Sequence, residues 1–373
     1  MKIIINASLN YNGGGLQVAL SFINTCKSFP DNIYHVFASK NVASQLEEKV
    51  FPSNFIFYHI PTLKFYEFSS YLSKLEGIIE PDVVFSIFGP VYWRPHVFHV
   101  VGFAQGHYIY DDSPFWKKVS IPNKLQWKLK KYIHLCYLRR DADVFIVETE
   151  DVALRLNKLL KKTCYVVPNT YSSYFGQYLF EKGECNQILP LKDKGEFRLL
   201  SVCTPYSHKN LEIIPSVVDS LIEEGYDNIR FIITASDIIY KKMIPEAYRK
   251  YVTTTGTISP QNVPQLYFEC DAVFVPSLLE CFTANFPEAM VMGKPILASD
   301  LSFSHSICGN AALFFDPLVP FDIADKIIKL LENPLLRNEL VELGKRRLSI
   351  FKTSEERAKA FLDICFECAF KNE

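Results

Sequence analysis

Glycine is scarce in this chain of 373 residues: there are only 15, so the run Gly13-Gly14-Gly15 stands out. Neither sign of charge is in excess, with 40 Lys plus Arg against 41 Asp plus Glu and a formal net charge of -1. That balance argues against a general nucleic-acid binder, and no nucleic-acid partner is expected. Long apolar runs are also missing: no stretch approaches the ~18 consecutive apolar residues of a membrane span. The opening Met1-Lys2-Ile3-Ile4-Ile5-Asn6 is too short an apolar run for a signal peptide and reads as a first buried strand. Without a secretory signal, the ten cysteines are expected as free thiols in a reducing, cytoplasmic compartment. Cys365 and Cys368 have CxxC spacing. They lie in a helical segment with no second ligand pair, so neither a metal nor a redox role is assigned to them.

What is present is an ordinary globular composition, 49% hydrophobic and 22% charged, at a length that implies two domains of roughly 150–200 residues each. In the first half, short apolar runs alternate with amphipathic ones. Strands are predicted at 3–8, 34–38, 55–58, 83–87, 97–101 and 144–148. The second half repeats the pattern, with strands predicted at 197–203, 230–235, 272–276, 295–299 and 312–315. The polar, aromatic stretch 172–194 reads as a linker or an excursion beside one. Such alternation favours parallel sheets with crossover helices, in which ligands bind at the carboxyl ends of strands. Pattern alone does not separate a transferase from a dehydrogenase or a kinase.

The most informative run is Pro276-Ser277-Leu278-Leu279-Glu280-Cys281-Phe282-Thr283-Ala284-Asn285-Phe286-Pro287-Glu288-Ala289-Met290, which follows a predicted buried strand and leads into a helix ending near Gly293-Lys294-Pro295. Pro287 suits a first helical turn, and free N–H groups at a helix start attract phosphate. A carboxylate such as Glu280 or Glu288 accepts several hydrogen bonds and suits sugar hydroxyls. Alone, the spacing of the two is common by chance, and the bland reading makes one a solvated loop residue and the other a helix-start charge.

With its flanks, the run resembles the donor-binding segment of glycosyltransferase family 4, a retaining family with the GT-B fold. Its "PS-x-x-E-x-F-G…E-A" and "G-K-P-V" patterns stand here as Pro276-Ser277, Glu280, Phe282, Glu288-Ala289 and Gly293-Lys294-Pro295-Ile296. The resemblance implies that Glu288 holds the ribose hydroxyls and Glu280 faces the donor sugar. It places the backbone amides of Phe282 and Thr283 along the sugar and diphosphate. The family's Gly after the Phe is Thr283 here. A second patch, Ser207-His208-Lys209-Asn210-Leu211, resembles the family's strand-loop-helix whose Lys contacts the diphosphate, while the Arg often found five residues earlier is Thr204. Lys209 there would offset charge on the leaving group. Gly256-Thr257-Ile258 resembles the loop framing the nucleobase, and Val166-Val167-Pro168-Asn169-Thr170 the junction into the linker.

In the first half, Gly14 and Gly15 read either as a tight turn or as glycine backbone approached closely by the donor. His107, after a predicted strand and Gly106, occupies a place where the family often carries a His near the donor sugar; a satisfied structural His is the competing reading. Asp141-Ala142-Asp143 has DxD spacing but precedes an apolar strand, so it is read as structural, and no metal is required. Asp111-Asp112 is read as exposed. Residues 116–140 carry eight Lys or Arg, no Asp or Glu, and interleaved Trp116, Trp127 and Tyr132. Such a segment suits peripheral contact with an anionic membrane, against the plainer reading of a solvated charged face.

The expectation is an α/β chain with the GT-B fold, two Rossmann-like domains facing a central cleft. The first domain, 1–170, would serve the acceptor and the second, 171–350, the nucleotide-sugar donor, with 351–373 a helix crossing back to the first. The implied activity moves a sugar, a hexose for choice, from a nucleoside-diphosphate sugar to a hydroxyl acceptor. The setting implied is surface-glycan assembly (capsule, O-antigen or exopolysaccharide), with a lipid-linked or glycan acceptor at the inner face of the cell membrane. Rival readings are a GT-B nucleotide-sugar epimerase or phosphorylase, and a catalytically idle nucleotide-sugar-binding protein.

Overall fold

The computed structural model describes residues 1–181 and 187–370. The described chain divides into two compact units, one of Met1–Asp111, Val119–Asn169 and Lys352–Glu373, the other of Asp112–Lys118 and Thr170–Phe351.

The first unit is built on strands β1 (Lys2–Ala7), β2 (Ile33–Ala38), β3 (Phe55–His59), β4 (Val83–Ser86), β5 (Phe98–Gly102), β6 (Val144–Val147) and β7 (Cys164–Val166). They pair in the order β3-β2-β1-β4-β5-β6-β7, every pair parallel. Strands covered on both faces read as continuous apolar runs, and β4 and β6 are buried at all four positions. The helix Ser354–Phe370 belongs to this unit. Its Phe361 ring lies 5.4 Å from Phe22 and 5.3 Å from Phe85, and Leu362, Cys365 and Cys368 join the same core. The CxxC pair is therefore packing material, and burial pushes both thiols above their usual range.

The second unit carries β8 (Phe197–Ser201), β9 (Ile229–Ile233), β10 (Val252–Thr254), β11 (Ala272–Val275), β12 (Ile296–Ser299) and β13 (Leu313–Phe315), ordered β10-β9-β8-β11-β12-β13 and again parallel. Each sheet reverses direction once, between β1 and β4 in the first and between β8 and β11 in the second. That is the topology of a doubly wound α/β fold.

Three sequence expectations change. The strands β7 and β10 have no counterpart among the predicted ones: each is three residues long and, unlike the equally short β13 in the apolar run 311–315, contains or directly follows polar residues (Thr253 and Thr254; Lys161, Lys162 and Thr163). Within the supposed linker, Ser173–Phe180 is a helix whose Phe175 packs 5.4 Å from the Tyr267 ring and whose Tyr178 hydroxyl donates to Gln265 at 2.8 Å; the part of that expectation falling on 182–186 lies outside the described residues. The segment Asp112–Lys118 joins the second unit although its neighbours in sequence belong to the first, which also splits the basic stretch 116–140.

Replacing Phe361 by Ala removes a ring from the middle of the first core and should cost about 3–5 kcal/mol. Phe366, 58% exposed on the same helix, should tolerate Ala within about 0.5 kcal/mol. Chemical denaturation of the two variants checks this, and equal losses would contradict the docking of the helix.

Candidate functional site

Where a doubly wound sheet reverses, the loops leaving the two central strands diverge and leave room for a ligand at their carboxyl ends. In the second unit those loops follow β8 and β11, and they hold Lys209 and Glu280. Short-range geometry closes the first of them: Lys209 N donates to the Tyr206 carbonyl at 2.8 Å, and Asn210 turns the chain at φ 58°, a conformation that Asn tolerates better than most residues. The Asn210 side chain is buried and donates to the Pro317 carbonyl at 2.8 Å.

The two loops are tied together. Leu278 N donates to the His208 carbonyl at 2.7 Å, and the Lys209 ammonium forms a hydrogen-bonded ion pair with Glu280. From the start of the helix Asn285–Val291, Asn285 Nδ2 reaches back to the Val202 carbonyl at 2.9 Å. Beneath them, Ser201 Oγ donates to the Phe274 carbonyl, linking β8 to β11. Glu280 is only 8% exposed. Burial works against the charge on Lys209, but the Glu280 carboxylate, with smaller contributions from Cys203 and Tyr206, holds the ammonium above its usual range. Burial lowers the neighbouring His208 below the usual imidazole value, so it is neutral near pH 7.

Glu288 lies in the helix Asn285–Val291 and keeps part of its surface accessible. The Tyr267 hydroxyl donates to Glu288 Oε2 at 2.7 Å. Dense surrounding protein pushes the Glu288 carboxyl up to about 7, with the Tyr267 hydrogen bond pulling the other way. The site therefore offers a cation, a carboxylate already engaged with it, and a second carboxyl poised near neutrality. Such a set can grip hydroxyls and neutralise phosphate.

Phe282 and Thr283 sit between the two glutamates, Phe282 half-buried 6.1 Å from the Phe351 ring and Thr283 buried. Gly256, Thr257 and Ile258 follow β10 and so share the carboxyl side of the sheet. They stand at its edge, two strands from the reversal, with Gly256 at φ 70° and its N–H donated to Thr254 Oγ1 at 3.1 Å. Gly14, Gly15 and His107 belong to the first unit. A Cβ on Gly15 would meet Asn10 Nδ2 at 3.2 Å and Phe88 at 3.5 Å, whereas one on Gly14 would meet nothing within 4 Å. His107 stacks on Trp127, centroids 4.5 Å apart and planes 4° from parallel. Gly15 and His107 thus each make a close packing contact within the first unit. Asp143 is held by Arg94 at 2.6 Å and by His99 N at 2.9 Å, and Asp141 by Arg140 at 2.5 Å. Asp111 is exposed, as expected, and pairs with Lys131 at 2.6 Å. Among the described residues no group of three His, Cys, Asp or Glu could hold a metal ion.

Sequence reasoning assigned no role to several residues that shape this site. Ser113 Oγ donates to the Leu278 carbonyl at 2.6 Å, across 165 residues of chain. Phe115 meets the His208 ring edge-on at 6.5 Å, and Lys118 donates to Asn210 Oδ1 and to Glu212 at 3.0 Å. The segment Asp112–Lys118 thereby braces both loops. Neither its composition nor its spacing announces this. Tyr267 carried no signal either, since only the fold brings it to Glu288.

Residues 189–347 match the family described as glycosyl transferases group 1. They form a glycosyltransferase group 1 domain. The whole chain superimposes on solved glycosyltransferase structures of the GT-B fold. WaaG, a glycosyltransferase involved in lipopolysaccharide biosynthesis, matches with TM-score 0.69 and 14% identity over 98% of this chain and 99% of that one. Sucrose-phosphate synthase from Thermosynechococcus elongatus matches with TM-score 0.70 and 14% identity over 100% of each chain. HepE from Anabaena, solved in complex with UDP and glucose, matches with TM-score 0.66 and 15% identity over 98% and 99%. No curated protein matches by sequence. At these identities the likeness to solved structures speaks for the fold, and the domain match for the activity: the chain is a glycosyltransferase.

A carboxyl with a raised folded pKa keeps its proton where the unfolded chain has lost it, so its contribution to stability falls as pH rises from about 4.5 towards 7. Glu288→Gln should remove this slope. The melting temperature of the variant relative to the parent should rise across that window, and a difference independent of pH would contradict the raised carboxyl.

Proposed function

We propose that this glycosyltransferase is a retaining, family 4-like enzyme that moves a hexose from a nucleoside-diphosphate sugar to a hydroxyl acceptor. The observation that carries the reading is the set of Lys209 and Glu280 on tied loops at the reversal of the second sheet, with Glu288 on the helix that follows. Glu288, relieved of its proton, accepts the two ribose hydroxyls. Lys209 binds the diphosphate and stabilises the charge that grows on it as the glycosidic bond breaks. Glu280 then turns to the hydroxyls of the donor sugar, with the backbone at Phe282 and Thr283 beside it. Gly256, Thr257 and Ile258 frame the base.

The chemistry proceeds on one face of the sugar, the departing phosphate oxygen taking the proton of the attacking hydroxyl. No side chain becomes a nucleophile, and the protein supplies position and electrostatics. The cationic role falls to Lys209, so no metal is required. The acidic pair with DxD spacing is engaged by Arg94, Arg140 and the His99 backbone. For His107, Gly14 and Gly15, support for donor contact comes from the family resemblance alone. The enzyme acts in the cytoplasm, at the inner face of the cell membrane, on a lipid-linked or glycan acceptor during surface-glycan assembly. HepE was solved with UDP-glucose, which makes that sugar nucleotide the first donor to try.

A thermal-shift screen of nucleoside diphosphates and their sugars should find at least one that raises the melting temperature. With that ligand, Glu288→Ala should weaken binding about ten-fold or more, since a buried polar contact to two hydroxyls is lost. Glu280→Gln should leave binding within a few-fold and lower turnover about a hundred-fold. Failure of every nucleotide to stabilise the protein, or normal turnover in both variants, contradicts the assignment.

A further inference from the structure

The helix Ile121–Asp141 in the first unit divides its residues between two opposite faces. One face is engaged. Trp127 stacks on His107, Lys131 pairs with Asp111 at 2.6 Å, and Leu138 is buried. The His134 ring bonds the Tyr108 hydroxyl at 2.7 Å and the Tyr92 hydroxyl at 3.1 Å.

The other face is apolar and open. Ile121, Leu125, Leu129 and Tyr132 are 74%, 62%, 62% and 69% exposed, and Ile133 is 42% exposed. At about 100° per residue these five fall within about 120° of arc, on the side away from Trp127 and Leu138. Exposed cations border the stripe: Lys128, Lys130, Arg139 and Arg140. The helix has one acidic residue, Asp141, which is buried and bonded to Arg140.

We infer that this stripe docks the protein on an anionic lipid surface. The aliphatic side chains enter the boundary between headgroups and acyl chains, and the flanking cations stay at the level of the phosphates. A stripe of this size exposed to water is costly unless covered, and the rim of one charge sign selects the cover. A second copy of the same face would set Lys and Arg against Lys and Arg in any two-fold pairing. A nucleic acid would satisfy the cations and leave the aliphatic row in water. The inference rests on the proposed action at a membrane face but not on the donor residues. It narrows the sequence expectation for 116–140: Trp116 and Lys118 belong to the second unit, and Trp127 is stacked inward, so neither tryptophan is the anchor.

The test is flotation of the full chain with vesicles of phosphatidylcholine alone and of phosphatidylcholine with phosphatidylglycerol. The parent should float with the anionic vesicles and much less with the neutral ones. Leu125→Ser with Leu129→Ser should lower the partition coefficient about ten-fold or more. Lys128→Glu with Lys130→Glu should lower it about five-fold per lysine, through the loss of headgroup attraction. The melting temperature of the serine variant should match the parent, and that of the glutamate variant should fall only slightly, by the loss of the Lys130 contact over the Trp127 ring. Nucleotide stabilisation should be unchanged, so failure of the donor reading and failure of this one separate cleanly. A parent that floats with neither vesicle, or a serine variant that floats like the parent, overturns the inference. So does self-association in sedimentation velocity that the serine variant abolishes.

Discussion

The ion pair between Lys209 and Glu280 is the constraint on which the site in the second unit depends. Each charge is largely withdrawn from water, and an unpaired charge there would cost several kcal/mol. Pairing removes that penalty only if the loops after β8 and β11 keep a fixed register. The hydrogen bond from Leu278 N to the His208 carbonyl, the reach of Asn285 to Val202 and the brace of Ser113 on Leu278 hold that register. The cation and carboxylate are thus arranged before any ligand arrives, which spares the ordering cost that a flexible loop would incur on binding. The same arrangement keeps Lys209 charged, because the Glu280 carboxylate and, to a lesser extent, Cys203 and Tyr206 together offset its burial.

Much of the fold was legible because both sheets are parallel and buried. Their central strands read as apolar runs, and turn residues between them mark the crossovers. The short edge strands β7 and β10 escaped because polar residues interrupt or precede them, whereas the equally short β13 sits in the apolar run 311–315. Within the site, Glu280, Phe282, Thr283 and Glu288 lie within nine consecutive residues, and it was the family resemblance of that run and its flanks, not their spacing, that singled them out. Lys209 was reached through its place after a strand. The braces were not legible: Ser113, Lys118 and Tyr267 act across long stretches of chain, and their partners follow only from the strand order. Thr204 and Thr283, where the resemblance leads one to expect Arg and Gly, leave Lys209 as the cation of the β8 loop that meets Glu280 and put a buried hydroxyl-bearing residue between Glu280 and Glu288.

The two units divide the physical tasks. The second carries the charged constellation within the glycosyltransferase group 1 domain. The first carries a long helix with one face spent on packing and the other left apolar between cations. Nothing in the sequence alone told these faces apart, since the lysines and aromatics alternate along the segment. The partners of Trp127, Lys131 and His134 decided which face is spent.

The central claim is that the tied loops hold a nucleoside diphosphate. Hydrogen–deuterium exchange with and without a stabilising nucleoside diphosphate tests it most directly, because it reads the backbone of those loops. The account predicts slowed exchange over residues 206–210 and 278–288, with little change on the helix Ile121–Asp141. Protection confined to other segments, with these loops unchanged, would contradict it.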